Sequence, residues 1–187
     1  MHKFAENLIL KKYFVQYKPF LVFFVSFFGC YILLTFLYQF FLNSFENDKV
    51  DTVTLFVSKN TESVLSWFTQ SIRMDYLVQE PFVNVYFHDA GIVRIVEGCN
   101  GLSVIILFIS FVVAFSGTLK NTLLFIFGGS LFIYILNVLR IAILIVLMYY
   151  FPEYKHLLHG VLFPAIIYGI VFVLWVIWVN KFSKYAK

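Results

Sequence analysis

Cys99, Arg140 and His159 bring a thiol, a guanidinium and an imidazole to the ends of long apolar runs. Those three groups are the parts of a cysteine-type acyl-transfer site. A thiolate attacks a carbonyl, an imidazole carries the proton, and a fixed positive charge stabilises the oxyanion or holds a substrate carboxylate. Ionisable side chains are scarce in lipid-embedded sequence because each costs several kcal/mol there unless paired or wetted, so Arg140 is a functional candidate by default. The competing role for Arg140 is to snorkel or to bind a lipid headgroup. Asn137, one helical turn earlier, is placed to orient it.

Cys99 sits in the run Gly98-Cys99-Asn100-Gly101. The two glycines allow close backbone approach and a sharp turn before a helix. A cysteine at a helix N-terminus meets the positive end of the dipole, which favours the thiolate, and a nearby Arg140 adds to that. The alternative is a buried free cysteine. His159 precedes Gly160 and follows a second candidate, His156. Either serves as a proton carrier, and either could instead be hydrogen-bonded at the interface. His88 falls in an expected turn and reads as a solvated residue. A metal centre is disfavoured because His156 and His159 have no obvious third ligand in their short loop, and no cofactor motif is present.

The elements that must position these groups follow from composition. Of 187 residues, 61% are hydrophobic and 13% charged, too much apolar surface for a soluble domain to hide. The bilayer is therefore part of the solvent. The net charge of +4 sits in lysines at segment flanks, a topology signal rather than a nucleic-acid footprint. Cys30 lies mid-segment and Cys99 at a segment end, about 15 Å apart in depth, so a disulfide is excluded and Cys30 is a small core residue.

Residues 1–18 read as a basic interfacial segment on the cytoplasmic surface, and Pro19 opens an apolar run to residue 42. That run is too long for a cleaved signal peptide and lacks a small-residue cleavage site. Residues 44–98 form a polar, extracytoplasmic insert. Within it Val53, Phe56, Val57, Val64, Trp67 and Phe68 make one helical stripe, expected to lie on the membrane surface with Trp67 at headgroup level. Residues 83–87 and 92–96, separated by His88-Asp89-Ala90-Gly91, predict a β-hairpin that runs straight into Cys99.

Apolar runs over residues 99–116, 122–151 and 159–179 follow, with a turn at 117–121 and a polar loop at 152–158. The middle run reads as one over-long helix or as two that break near Asn137. One helix puts Lys3, Lys11, Lys12, Lys18, Lys120 and the C-terminal lysines on the same side, in accord with the positive-inside rule. The expected architecture is an all-α polytopic membrane protein of a single domain, with about four spanning helices and both termini cytoplasmic. Arg140 lies 20 residues beyond Lys120, about 30 Å of helix, which is one hydrocarbon thickness. Cys99, Arg140 and His159 then share one level at the outer face.

At these residues the chain resembles the exosortase/archaeosortase family of membrane cysteine transpeptidases. The matching pieces are Glu97-Gly98-Cys99-Asn100-Gly101-Leu102, Asn137-Val138-Leu139-Arg140-Ile141, and His159-Gly160 opening the last helix. Small size and a single polar insert are similar to the exosortase F branch. The resemblance implies an integral plasma-membrane (inner-membrane) enzyme whose site faces outside the cytoplasm. It implies a membrane-tethered protein substrate whose C-terminal sorting signal is a short motif, a transmembrane helix and a basic tail. It also implies Cys99 as nucleophile, Arg140 as electrostatic partner and His159 as acid/base. The chain is shorter than typical members, which leaves room for a partner subunit. The competing function is a non-enzymatic assembly or lipid-binding factor that uses Arg140 as a headgroup clamp. A transporter ranks third, since one intramembrane charge offers little for alternating access.

Overall fold

A computed structural model describes residues 2–45, 49–76, 80–115 and 117–183, with side chains from residue 16 onward. Lys184 and Lys187, and the side chains of Lys3, Lys11 and Lys12, lie outside the described residues. The chain runs α1 (His2–Leu42), α2 (Thr52–Ser66), β1 (Ile72–Asp75), β2 (Phe82–Phe87), β3 (Ala90–Val96), α3 (Leu102–Ala114), α4 (Leu119–Tyr150), a short turn α5 (Lys155–Leu157) and α6 (Phe163–Lys181).

Among the described residues, three helical stretches are long and apolar enough to cross a membrane: Gln16–Leu42, Leu119–Tyr150 and Pro152–Lys181. The fourth expected span is the 13-residue helix α3. At ~1.5 Å per residue it covers about 20 Å, less than the ~30 Å hydrocarbon thickness. The run over 122–151 is one helix, α4, with Asn137 inside it. The basic N-terminal segment and the first span are also one continuous helix, with Pro19 in its interior.

The helices have two distinct ends. Phe23 of α1 packs on Phe115, ring centroids 4.5 Å apart, while Tyr38 near the other end of α1 meets Asn100, so α1 and α3 run antiparallel. The Trp178 indole donates to the Phe115 carbonyl at 2.9 Å, and Gly117 bridges to Ser183. Lys18, Lys120 and Lys181 therefore share the end opposite Cys99. Midway, the tip of the Phe108 ring of α3 abuts Gly129 of α4, where any Cβ would overlap it. That glycine lets the short helix approach α4 closely.

The insert packs on the far half of α4. Asp51 caps α2 by accepting from the Thr54 amide at 2.9 Å. The buried face of α2 is Thr54, Val57, Ser58, Thr61 and Leu65. Of the expected apolar stripe only Val57 is buried, and Phe56, Trp67 and Phe68 are exposed. The inward face is thus turned by about 90° from the stripe, at ~100° per residue. The cause is local: Ser58 and Thr61 donate their hydroxyls to the carbonyls of Thr54 and Val57 at 2.8 and 2.9 Å. Satisfied in this way, small polar residues can be buried against a helix and a sheet where large aromatic ones do not fit.

The expected hairpin is β2–β3, closed by a two-residue turn in which His88 and Asp89 have φ of 50° and 60°. Both central residues left-handed is the geometry that matches strand twist in a tight hairpin. The turn is two residues shorter than its sequence suggested, because Ala90 and Gly91 pair within β3. A third antiparallel strand, β1, completes the sheet in the order β1-β2-β3. It is short and half polar, and the Arg73 guanidinium sits 4.5 Å over the Tyr86 ring. The Tyr76 hydroxyl donates to Glu62 of α2 at 2.7 Å. Burial first, then Glu62, holds that phenol well above its usual range. Val57, Val83, Val85, Phe87 and Ile95 form one core with Val138, Ile141, Ala142 and Ile145 of α4. The sheet is thereby fixed to the helix that carries Asn137 and Arg140.

Candidate active site

β3 delivers the chain into a single 3₁₀ turn, Glu97–Cys99, and α3 begins only at Leu102. Cys99 thus stands one short turn ahead of the helix, rather than in its first turn as the sequence suggested. Two asparagines hold the connecting backbone. Asn137, buried in α4, donates its amide to the Cys99 carbonyl at 2.8 Å and accepts from Arg140 Nη1 at 3.2 Å. One side chain therefore fixes both the cysteine backbone and the guanidinium. Asn100 donates to the Tyr38 hydroxyl at 2.8 Å and to Thr54 Oγ1 at 3.2 Å, and accepts from the Leu102 amide at 2.9 Å. It ties the loop to α1 and α2 and to the first amide of α3.

The two glycines do different things. Gly101 has φ 78°, and a Cβ there would stand 2.9 Å from Asn137 Cγ. Both the backbone conformation and the close approach of Asn137 require glycine at this position. Gly98 meets neither condition: a Cβ there would face open space. The sharp turn expected from both glycines rests on Gly101 alone.

Cys99, Arg140 and His159 line one cavity of about 140 Å³, walled on one side by β3 and on the other by α4. Among the described residues no hydrogen bond joins the thiol to the imidazole or to the guanidinium. What they share is access to the same void. Arg140 Nε is buried with no hydrogen-bond partner among the described residues. His159 stands in a π-helical turn, Leu158–Leu162, just before α6. Pro164 explains the widened turn, since it has no N–H for the Gly160 carbonyl and its ring crowds that carbonyl. His156 is exposed and does not line the cavity. His88 is exposed in the hairpin turn, its ring 5.2 Å from that of Tyr149. Both cysteines are free thiols.

Four residues here were not singled out from the sequence: Tyr38, Thr54, Arg94 and Lys155. Lys155 precedes His159 by four residues, so helical spacing places both on one face. Arg94 is the lone charge in an otherwise apolar strand leading to Cys99. Nothing in the sequence around Tyr38 or Thr54 marks them, because their role depends on contacts far along the chain. The arrangement can hold a thiol beside a fixed positive charge and a histidine, with room for a small part of a larger substrate.

A family model described as transmembrane exosortase matches residues 18–179, a stretch that runs from α1 into α6 and includes every site residue above. No curated protein and no solved structure matches the chain.

Proposed function

The chain belongs to the transmembrane exosortase family, and from that premise we propose that it is an integral-membrane cysteine peptidase/transpeptidase that processes C-terminal sorting signals of exported proteins. The observation that carries the reading is the cavity lined jointly by Cys99, Arg140 and His159. His159 takes the thiol proton, and the Cys99 sulfur adds to a peptide carbonyl. Arg140 balances the charge that builds on the carbonyl oxygen. The carbon–nitrogen bond then breaks, the amine leaves with the proton from His159, and a thioester remains on Cys99. Water or an envelope amine attacks the thioester and regenerates the thiol. Asn137 holds the Cys99 carbonyl and the Arg140 guanidinium in register.

The site faces outside the cytoplasm of the plasma membrane. The support is charge: Lys18, Lys120 and Lys181 lie at the opposite end of the helices, as the positive-inside rule requires. The single polar insert between α1 and α3 supports a place in the exosortase F branch. The test is processing of a membrane-tethered partner protein in cells, together with side-specific labelling. Cys99→Ser, Arg140→Ala and His159→Ala each abolish processing while the protein stays folded. A membrane-impermeant thiol reagent labels Cys99 from outside. Processing that survives Cys99→Ser, or labelling only after the membrane is lysed, overturns the reading.

A further inference from the structure

His159 is held by a turn that departs from the α-helix. Lys155–Leu157, the π turn Leu158–Leu162 and α6 follow one another without a break, so Pro164 lies inside a continuous helical run. There it offers no N–H to the Gly160 carbonyl, and its ring crowds that carbonyl. The run widens by one residue around it. The Phe163 N–H passes over its α-helical partner, the His159 carbonyl, and bonds the Leu158 carbonyl instead. The His159 and Gly160 carbonyls thus both lack their α-helical donors.

The widening sets the angle between two faces. α6 buries Phe163, Ile167, Val171 and Trp178. Lys155 and His159, before and within the turn, line the Cys99 cavity. One extra residue in a turn rotates what precedes it by up to about 100° relative to the helix that follows. Packing does little to hold that angle. Of the five turn residues only Leu158 is buried, and a Cβ on Gly160 would face open space. The backbone chemistry of position 164 is what keeps the turn wide.

We propose that Pro164 is a positioning residue for the reaction: by denying Gly160 a donor it maintains the π turn, and the π turn presents His159 to Cys99. The inference rests on the peptidase reading, which gives His159 its role. Pro164 does not itself line the cavity, so it acts only through His159. A proline in this place opposes helix stability while it serves geometry. Restoring the N–H therefore weakens the reaction without weakening the fold.

The test compares Pro164→Ala in the full chain with the α-hydroxy analogue of alanine placed at position 164 by nonsense suppression. The first restores an N–H; the second has none, as proline has none. In Pro164→Ala, turnover of a membrane-tethered reporter falls at least about tenfold, as the acid–base contribution of His159 is lost. Its KM is unchanged, and its thermal midpoint equals or exceeds that of wild type. The α-hydroxy variant regains most of the turnover. Position is read without catalysis in His159→Cys/Cys30→Ala, where a short bis-alkylating reagent bridges position 159 to Cys99. Adding Pro164→Ala removes the bridge, and the α-hydroxy residue restores it. Turnover or bridging that survives Pro164→Ala overturns the proposal. So does a lowered midpoint that accounts for the lost turnover, or an α-hydroxy variant as impaired as the alanine one, which assigns the effect to the proline ring. The two readings fail separately. Bridging that depends on the position-164 N–H, with no turnover in wild type, refutes catalysis and supports the turn. Turnover lost in His159→Ala but kept in Pro164→Ala refutes the turn alone. No bridge even with Pro164 in place contradicts the shared cavity and overturns both.

Discussion

Gly101→Ala tests how the site is held together. The residue has φ 78°, and its new methyl would stand 2.9 Å from Asn137 Cγ and 3.1 Å from Nδ2. The left-handed backbone alone costs an alanine about 1–2 kcal/mol. Displacing Asn137 breaks its bond to the Cys99 carbonyl and its bond from Arg140. Leaving such buried groups unpaired costs a further ~1–3 kcal/mol. The sum is about 2–5 kcal/mol, and each kcal/mol lowers the thermal midpoint of a chain this size by roughly 2–4 °C. Gly98→Ala is the control: it meets open space without a left-handed backbone and stays within about 0.5 kcal/mol of wild type. In the double variant with Asn137→Ala, the steric part and the shared hydrogen bonds are removed once rather than twice. The combined loss is therefore smaller than the sum of the two single losses. Thermal unfolding of the purified proteins in one detergent reads all four variants. Equal effects of Gly98→Ala and Gly101→Ala, or strict additivity with Asn137→Ala, would refute the reasoning.

Arg140→Lys keeps the charge but loses the planar fork that reaches Asn137, so processing falls at least about tenfold with little change in expression. Tyr38→Phe removes the hydroxyl that accepts from Asn100 and lowers stability by about 1–2 kcal/mol, read by thermal unfolding. Gly129→Ala drives a methyl into the Phe108 ring and costs about 1–3 kcal/mol, and near-ultraviolet circular dichroism reports the disturbed aromatic packing. His156→Ala keeps processing and His159→Ala loses it in the same cellular assay, because only His159 lines the cavity.

The long elements were legible because lipid-length apolar runs and flanking lysines are strong signals, and α4 is one helix, the option that charge placement favoured. The chain order of Cys99, Arg140 and His159 at segment ends was also legible, and the three meet at one cavity. Other features were hidden. The inward face of α2 is set by hydroxyls that bond their own backbone, so its hydrophobic stripe points the wrong way. β1 is four residues of mixed character, whose pairing depends on β2 rather than on its own pattern. α3 starts just after Gly101 and ends at Ala114, next to the Phe115 carbonyl that the Trp178 indole holds, and hydropathy reports neither boundary. The division of labour between Asn100 and Asn137 is a matter of long-range contacts, so spacing marked the residues without revealing their partners.

Capture of a covalent adduct on Cys99 tests the central claim most directly. When the chain is expressed with a membrane-tethered substrate and quenched rapidly in acid, mass spectrometry should find the processed substrate joined to Cys99 through a hydroxylamine-sensitive thioester. The adduct should be absent in Cys99→Ala and fail to form in Arg140→Ala. Processing that continues in Cys99→Ala, with no adduct on the wild-type cysteine, would contradict the account.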